Sequence, residues 1–349
     1  MNPPIIVKHD EKNTNQEEIN ETLSLTNLPK HTEIPGLELS FYQGCWHVSR
    51  MLPSVIKVQQ KFQAQDTDII LVSKPKCGTT WLKSLVYSII HRTEFTYTNH
   101  PLLTHNPHEL VPFLTNFYTG DDHNALGLNQ ISSPRIFATH DPYVTLNKSM
   151  KESACKIVYI ARNPFDVLVS GWHFTSSNEL VKSKNGVSFE TYFDLSCRGM
   201  EPGGPHWDHV LGYWKQSLDT PNKVLFLKYE DLKEDGVVEL KRLAKFLGCE
   251  FSLEEEEQGV IEKILELCSL KNLKELEETL KKLNKELEYV KSNKKRRVRT
   301  EDIPQFSLIS FDESDGEGDR DKKLEKESGG GDTDPMAKRV AIIEAKTEK

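Results

Sequence analysis

Asp68-Ile-Ile-Leu-Val-Ser73-Lys-Pro-Lys76-Cys77-Gly78-Thr79-Thr80-Trp81 is a short apolar run, a glycine-bearing loop and the start of a helix. This succession sets the fold. The apolar run is the length of a buried strand, and Thr79–His91 carries apolar residues at helical spacing. A strand, a tight loop and a helix N-terminus make an anion site, because free backbone N–H groups and the helix dipole face the ligand. Gly78 permits close backbone approach. Thr79 and Thr80 add hydroxyl donors, and Lys76 supplies a full positive charge. The Gly-x-x-x-x-Gly-Lys-Ser/Thr signature is absent, and so is an acidic metal-binding motif, which argues against nucleoside-triphosphate chemistry and an ATP-dependent kinase.

Three further runs read as buried strands: Arg135–Thr139, Lys156–Ala161 and Val224–Lys228. Helical patterns lie between them, and Val237–Leu247 stops at Gly248, a C-terminal cap. Strands alternating with helices predict an α/β fold, a parallel sheet flanked by helices on both faces. Ligands of such folds sit beyond the carboxyl ends of the strands. Each of the four runs leads directly into distinctive residues: Lys76, His140, Arg162 and Tyr229.

The chain has 349 residues, enough for one large α/β domain with appendages or for two ordinary domains. Its net charge of −8 gives no support for a nucleic-acid binder. The opening Met-Asn-Pro-Pro is not a signal peptide, and no run approaches the roughly 20 apolar residues of a membrane helix. A cytoplasmic protein with no membrane partner is expected. The six cysteines (Cys45, Cys77, Cys155, Cys197, Cys249, Cys268) form no Cys-x-x-Cys pair, so free thiols are expected rather than a metal or disulfide framework. His206 and His209 have metal-ligand spacing but lack a clear third ligand, and they read as structural.

Residues 1–35 are polar without periodicity and predict a disordered arm. Residues 36–276 form the globular domain. Leucines repeat at heptad spacing from Leu273 to Leu287, which predicts a helix extension over 277–293 with its pattern beginning near 254. That stripe, over 273–290, offers a surface for a partner or for self-association. Residues 294–349 hold a basic cluster at Lys294–Arg299 and a disordered acidic tail.

The loop at Pro75–Trp81 resembles the 5'-phosphosulfate loop of cytosolic sulfotransferases, Pro-Lys-x-Gly-Thr-Thr-Trp. The run Arg162-Asn-Pro-Phe-Asp-Val-Leu-Val-Ser170 resembles the 3'-phosphate motif of the same family, Arg-Asn-Pro-x-Asp-x-x-x-Ser. Thr139-His140-Asp141-Pro142 matches its Thr-His-x-Pro context, and Tyr229-Glu-Asp its Tyr-Glu-Asp segment. The style is that of the plant enzymes, as in Trp207-Asp-His-Val-Leu-Gly-Tyr-Trp214. The resemblance covers Leu37 to Leu276.

It implies a P-loop-like sulfotransferase fold. It also implies a sulfuryl transfer from 3'-phosphoadenosine 5'-phosphosulfate (PAPS) to a hydroxyl of a small organic acceptor, with no metal. His140 is then the general base, because a hydroxyl is a poor nucleophile until its proton is removed. Lys76 holds the sulfate bridge and the leaving phosphate. Cys77, Gly78, Thr79 and Thr80 complete the loop, and Trp81 packs against adenine. Arg162 and Ser170 hold the 3'-phosphate, and Tyr229 contacts the nucleoside. Cys268 and Ser269 lie in a segment that resembles one the family places near the adenine and 3'-phosphate.

The chain departs from the family at two places. Asp141 stands where the family has an apolar residue, and a carboxylate there either raises the pKa of His140 or points to solvent. The family's Arg-Lys-Gly-x-x-Gly-Asp-Trp-Lys segment is absent, which predicts weaker cofactor affinity. The acceptor pocket is expected from the loops Phe41–Trp46, Tyr97–Tyr118 and Phe165–Phe174. Their aromatic rings suit a hydroxylated or phenolic acceptor of flavonoid, steroid or jasmonate type. The alternative is a catalytically impaired nucleotide-binding remnant that acts as an interaction protein through its C-terminal helix.

Overall fold

The computed structural model describes residues 27–119, 127–128, 130–177, 186–282 and 285. The chain enters through three antiparallel strands, β1 (Lys30–Ile34), β2 (Leu37–Tyr42) and β3 (Cys45–Val48). The last residues of the arm expected over 1–35 instead form β1. The sequence of β1, Lys-His-Thr-Glu-Ile, has little apolar content, and pairing to β2 (Lys30↔Ser40, His31↔Leu39) holds it in place. Residues 1–26, and the tail over 294–349, lie outside the described residues.

The main sheet has four parallel strands in the order β5-β4-β6-β7. They are β4 (Ile69–Ser73), β5 (Ile136–Thr139), β6 (Lys156–Ala161) and β7 (Val224–Lys228). Each matches a run read from the sequence. Two start one residue later than expected, after Asp68 and Arg135, whose side chains pair with each other. The Arg135 guanidinium forks onto the buried Asp68 carboxylate at 2.7 and 2.6 Å.

Alternate residues of each strand point to opposite faces, and both faces are buried. On one face Leu71, Ala138, Val158 and Leu227 pack against helices α2 (Thr79–His91), α7 (Gly236–Leu247) and α9 (Val260–Leu267). On the other, Ile70, Phe137, Tyr159 and Phe226 meet Val58 and Tyr213. Those two belong to α1 (Leu52–Lys61) and α5 (His206–Asp219). Between these elements run α3 (Pro164–Ser176), α4 (Phe189–Cys197) and α6 (Tyr229–Glu234). Helix α7 ends at Gly248 with φ +76°, the left-handed cap that the sequence predicted.

The segment after 253 is not one continuous helix. Helix α8 (Leu253–Glu257) is separated from α9 by Gly259 at φ +66°. A second break at Cys268-Ser269 precedes helical residues 270–282. Leu273 and Leu276 are 8% and 2% exposed, and Leu273 joins the core beside α2. The start of the leucine stripe is thus consumed by the chain's own fold. Leu283 and Leu287 lie outside the described residues.

Candidate active site

The carboxyl ends of the four strands open into one cavity of about 670 Å³. The loop after β4 forms its floor. Two residues of that loop take left-handed backbone, Lys76 at φ +72° and Gly78 at φ +104°. A left-handed lysine is strained, and such strain collects at ligand clamps. The loop is braced by the Cys77 N–H donating to the Lys74 carbonyl (3.1 Å) and by Ser73 Oγ against Thr79 Oγ1 (2.6 Å). The first turn of α2 has no side-chain cap, so its N–H donors remain for an anion.

Two cations bracket this loop. Lys76 Nζ lies 4.5 Å from the Phe174 ring centroid. Burial and the nearby Arg162 charge lower its pKa. Arg162 Nη1 donates to the Lys76 carbonyl at 3.2 Å, and its guanidinium lies 4.7 Å from the centroid of the Tyr229 ring. Tyr229 in turn meets Trp81 edge to face at 5.2 Å. Ser170, on α3, lines the same cavity. Trp81 Nε1 and Arg162 Nε are buried and have no partner among the described residues. Buried donors are rarely left orphaned, so the residues present fit a polar, anionic ligand that would lie here.

His140 follows β5 and lines the cavity. Its Nδ1 donates to the Ser73 carbonyl at 2.6 Å, which places the proton on Nδ1 and leaves Nε2 as the basic nitrogen. Burial pushes His140 down to about 4, with Lys83, His108 and Lys74 adding to the shift. A net rise at His140 from Asp141 does not occur. The Asp141 carboxylate accepts from Thr139 Oγ1 at 2.5 Å, and burial raises it to about 6. It is occupied with its own strand end, and burial dominates at His140.

The backbone around His140 is held from α5. His209 Nε2 donates to the His140 carbonyl (3.0 Å) and its Nδ1 accepts from Tyr159 Oη (3.0 Å). Tyr213 Oη donates to the Asp141 carbonyl at 2.8 Å. His209 is thus a structural residue, as the sequence indicated.

Lys76, Gly78, Thr79, Thr80, Trp81, His140, Arg162, Ser170 and Tyr229 all line the one cavity. Three sequence-derived candidates do not. The Cys77 side chain is fully buried beneath the loop. Cys268 is buried in the core with its Sγ 3.4 Å from Ser88 Oγ. Ser269 accepts from the Asn272 N–H at 3.3 Å, starting the next helix. Phe41–Trp46 also contributes nothing to the lining. There Phe41 and Trp46 pack on each other at 5.0 Å, and the segment that follows supplies His47, Val48 and Arg50 instead.

The sequence left several lining residues unread. A buried ion pair, Lys74–Glu201 at 2.9 Å, forms part of the wall. His108 and Phe113 stack at 5.5 Å, and Phe113 lies 4.8 Å from His140. Glu201 sits in a loop without a pattern. His108 lies in a helix-start signal, Asn106-Pro-His-Glu, which is a true capping box. Both therefore read as local structure only.

A parallel sheet with a glycine-bearing loop after β4, His140 after β5 and Arg162 after β6, all on one cavity, is the layout of the phosphate-loop class of α/β folds. The comparisons narrow this class. Residues 66–305 match the sulfotransferase domain family model, past the Leu276 limit of the motif resemblance. Cytosolic sulfotransferase 8 of Arabidopsis thaliana is 49% identical over 259 residues, 74% of this chain and 77% of that protein. Cytosolic sulfotransferase 5 of the same plant is 45% identical over 272 residues, 76% and 84% respectively. A solved candidate steroid sulphotransferase of Arabidopsis thaliana is 39% identical with a TM-score of 0.62, covering 81% of this chain and 96% of that one. Mouse sulfotransferase SULT7A1, solved with PAP, is 27% identical with a TM-score of 0.53, covering 68% and 76%. The chain belongs to the sulfotransferase family and is of the plant cytosolic type. It is a transferase of the sulfuryl group.

Proposed function

We propose that this chain moves the sulfuryl group of PAPS to a hydroxyl of a small acceptor, with His140 as the base. The observation that carries this reading is the 2.6 Å bond from His140 Nδ1 to Ser73, beside the loop that holds Lys76. It leaves a neutral imidazole whose Nε2 takes the acceptor proton as the new S–O bond forms. The bond between sulfur and the bridging oxygen breaks on the opposite side. The leaving 5'-phosphate departs with that electron pair, its charge met by Lys76 and the α2 N–H groups. Arg162 and Ser170 anchor the 3'-phosphate, and Trp81 and Tyr229 hold the nucleoside. PAP in mouse SULT7A1 supports this nucleotide. No step calls for a metal.

The acceptor lies on the side of Phe113, Phe174 and Tyr192, whose rings suit a flat hydroxylated or phenolic molecule of flavonoid, steroid or jasmonate type. Among the described residues no helix is long and apolar enough to cross a membrane. The relatives' names point to the cytosol, and we extend that location to this chain. The reading as a non-catalytic interaction protein is not favoured, since Leu273 and Leu276 are buried in this fold. Calorimetric titration with PAP tests the cofactor site. Arg162→Ala is expected to weaken PAP at least about tenfold. Equal binding by the variant would remove Arg162 from the site.

A further inference from the structure

Lys83 lies one turn beyond Thr80 on α2, and its side chain is fully buried. Its Nζ stands 2.9 Å from His108 Nδ1 and 3.6 Å from the Phe113 ring centroid. Burial pushes its ammonium down to about 7, and no carboxylate among the described residues acts to raise it. On its other side, His108 Nε2 stands 3.1 Å from Thr80 Oγ1. His108 itself is pushed down to about 4 by burial and by Lys83, with Glu277 opposing, so it is a neutral imidazole. The same Lys83 charge also lowers His140.

With Lys83 protonated, as it is below about pH 7, these contacts have a definite proton order. An ammonium has only donors, so His108 Nδ1 must accept from Lys83. A neutral ring then carries its hydrogen on Nε2 and donates it to Thr80 Oγ1. Thr80, with its oxygen engaged as an acceptor, turns its own O–H outward to the loop. We propose that Lys83 and His108 are positioning residues of the phosphate loop, fixing Thr80 as a hydrogen-bond donor to the anion held there. This rests on the reading that the loop binds the phosphosulfate of PAPS. Apart from the Phe113 ring, nothing among the described residues is shown to offset the charge, and no carboxylate raises its pKa. A methionine of similar length would fill the same space without a buried cation that lacks a counterion. An anion in the loop supplies that counterion.

The experiment is calorimetric titration of PAP into the full chain, with thermal melting alongside. The proteins are wild type, Lys83→Met, His108→Phe, Thr80→Val, Thr80→Ser and the Lys83→Met/Thr80→Val double variant. Lys83→Met, His108→Phe and Thr80→Val should each weaken PAP by about tenfold. Thr80→Ser should bind as wild type. The double variant should be no weaker than either single one, because both remove the same hydrogen bond. Lys83→Met should melt at the same temperature as wild type or higher. Unchanged affinity in Lys83→Met, multiplying losses in the double variant, or an affinity loss that tracks a lower melting temperature would each overturn the proposal. A folded wild-type chain that binds no PAP would overturn the function reading and this proposal together.

Discussion

The Ser73 carbonyl accepts from His140 at 2.6 Å, and this bond selects the tautomer that the proposed base requires, with Nε2 free of hydrogen. The neighbouring Gly78 shows the same dependence on backbone. It sits at φ +104°, and a Cβ there would meet Tyr229 Cδ2 at 2.8 Å and Cε2 at 3.2 Å. Gly78→Ala is expected to cost about 1–3 kcal/mol in urea unfolding and to weaken PAP as Tyr229 is displaced. An alanine variant with wild-type stability and affinity would contradict that geometry. Lys76, Gly78, Arg162 and Ser170 were legible because each lies in a local motif tied to a strand end. Lys83, His108 and Glu201 were not. They are placed by contacts between segments distant in sequence, such as Lys74 with Glu201, and no local spacing encodes those contacts.

Among the elements, the four parallel strands were readable because burial on both faces makes each run almost wholly apolar. The antiparallel strands β1 to β3 carry no such signal. Their residues are mixed in polarity, and register with a neighbour defines them more than any pattern does. The C-terminal leucines carried a true helical period but an ambiguous destination, since a heptad stripe can face a partner or its own core. Leu276 at 2% exposure answers for the described part. Leu276→Ala should lower the stability of the chain by about 2–4 kcal/mol in chemical unfolding, with no change in sedimentation. A variant of unchanged stability that loses a dimer would reverse this assignment.

Across the whole molecule, burial holds a set of histidines neutral. His47, His100, His108 and His140 are pushed down to about 4, and His209 to about 3. The unfolded chain binds protons at these sites from about pH 6.5 downward, while the folded chain does not, so stability rises with pH across this window. Asp141, raised from 3.8 to about 6, acts in the opposite sense but is a single group. The melting temperature is therefore expected to fall as pH drops from 6.5 to 5, by calorimetry at fixed ionic strength. A flat or rising profile would mean that these rings are hydrated in the fold.

The same neutrality underlies the central claim, that His140 is the base of a sulfuryl transfer. The most direct measurement is single-turnover transfer of radiolabelled sulfuryl from PAPS to a phenolic acceptor, for wild type and His140→Asn, with PAP affinity measured on both. The account predicts that His140→Asn binds PAP like wild type and transfers at least about 100-fold more slowly. Transfer at the wild-type rate by His140→Asn would contradict it.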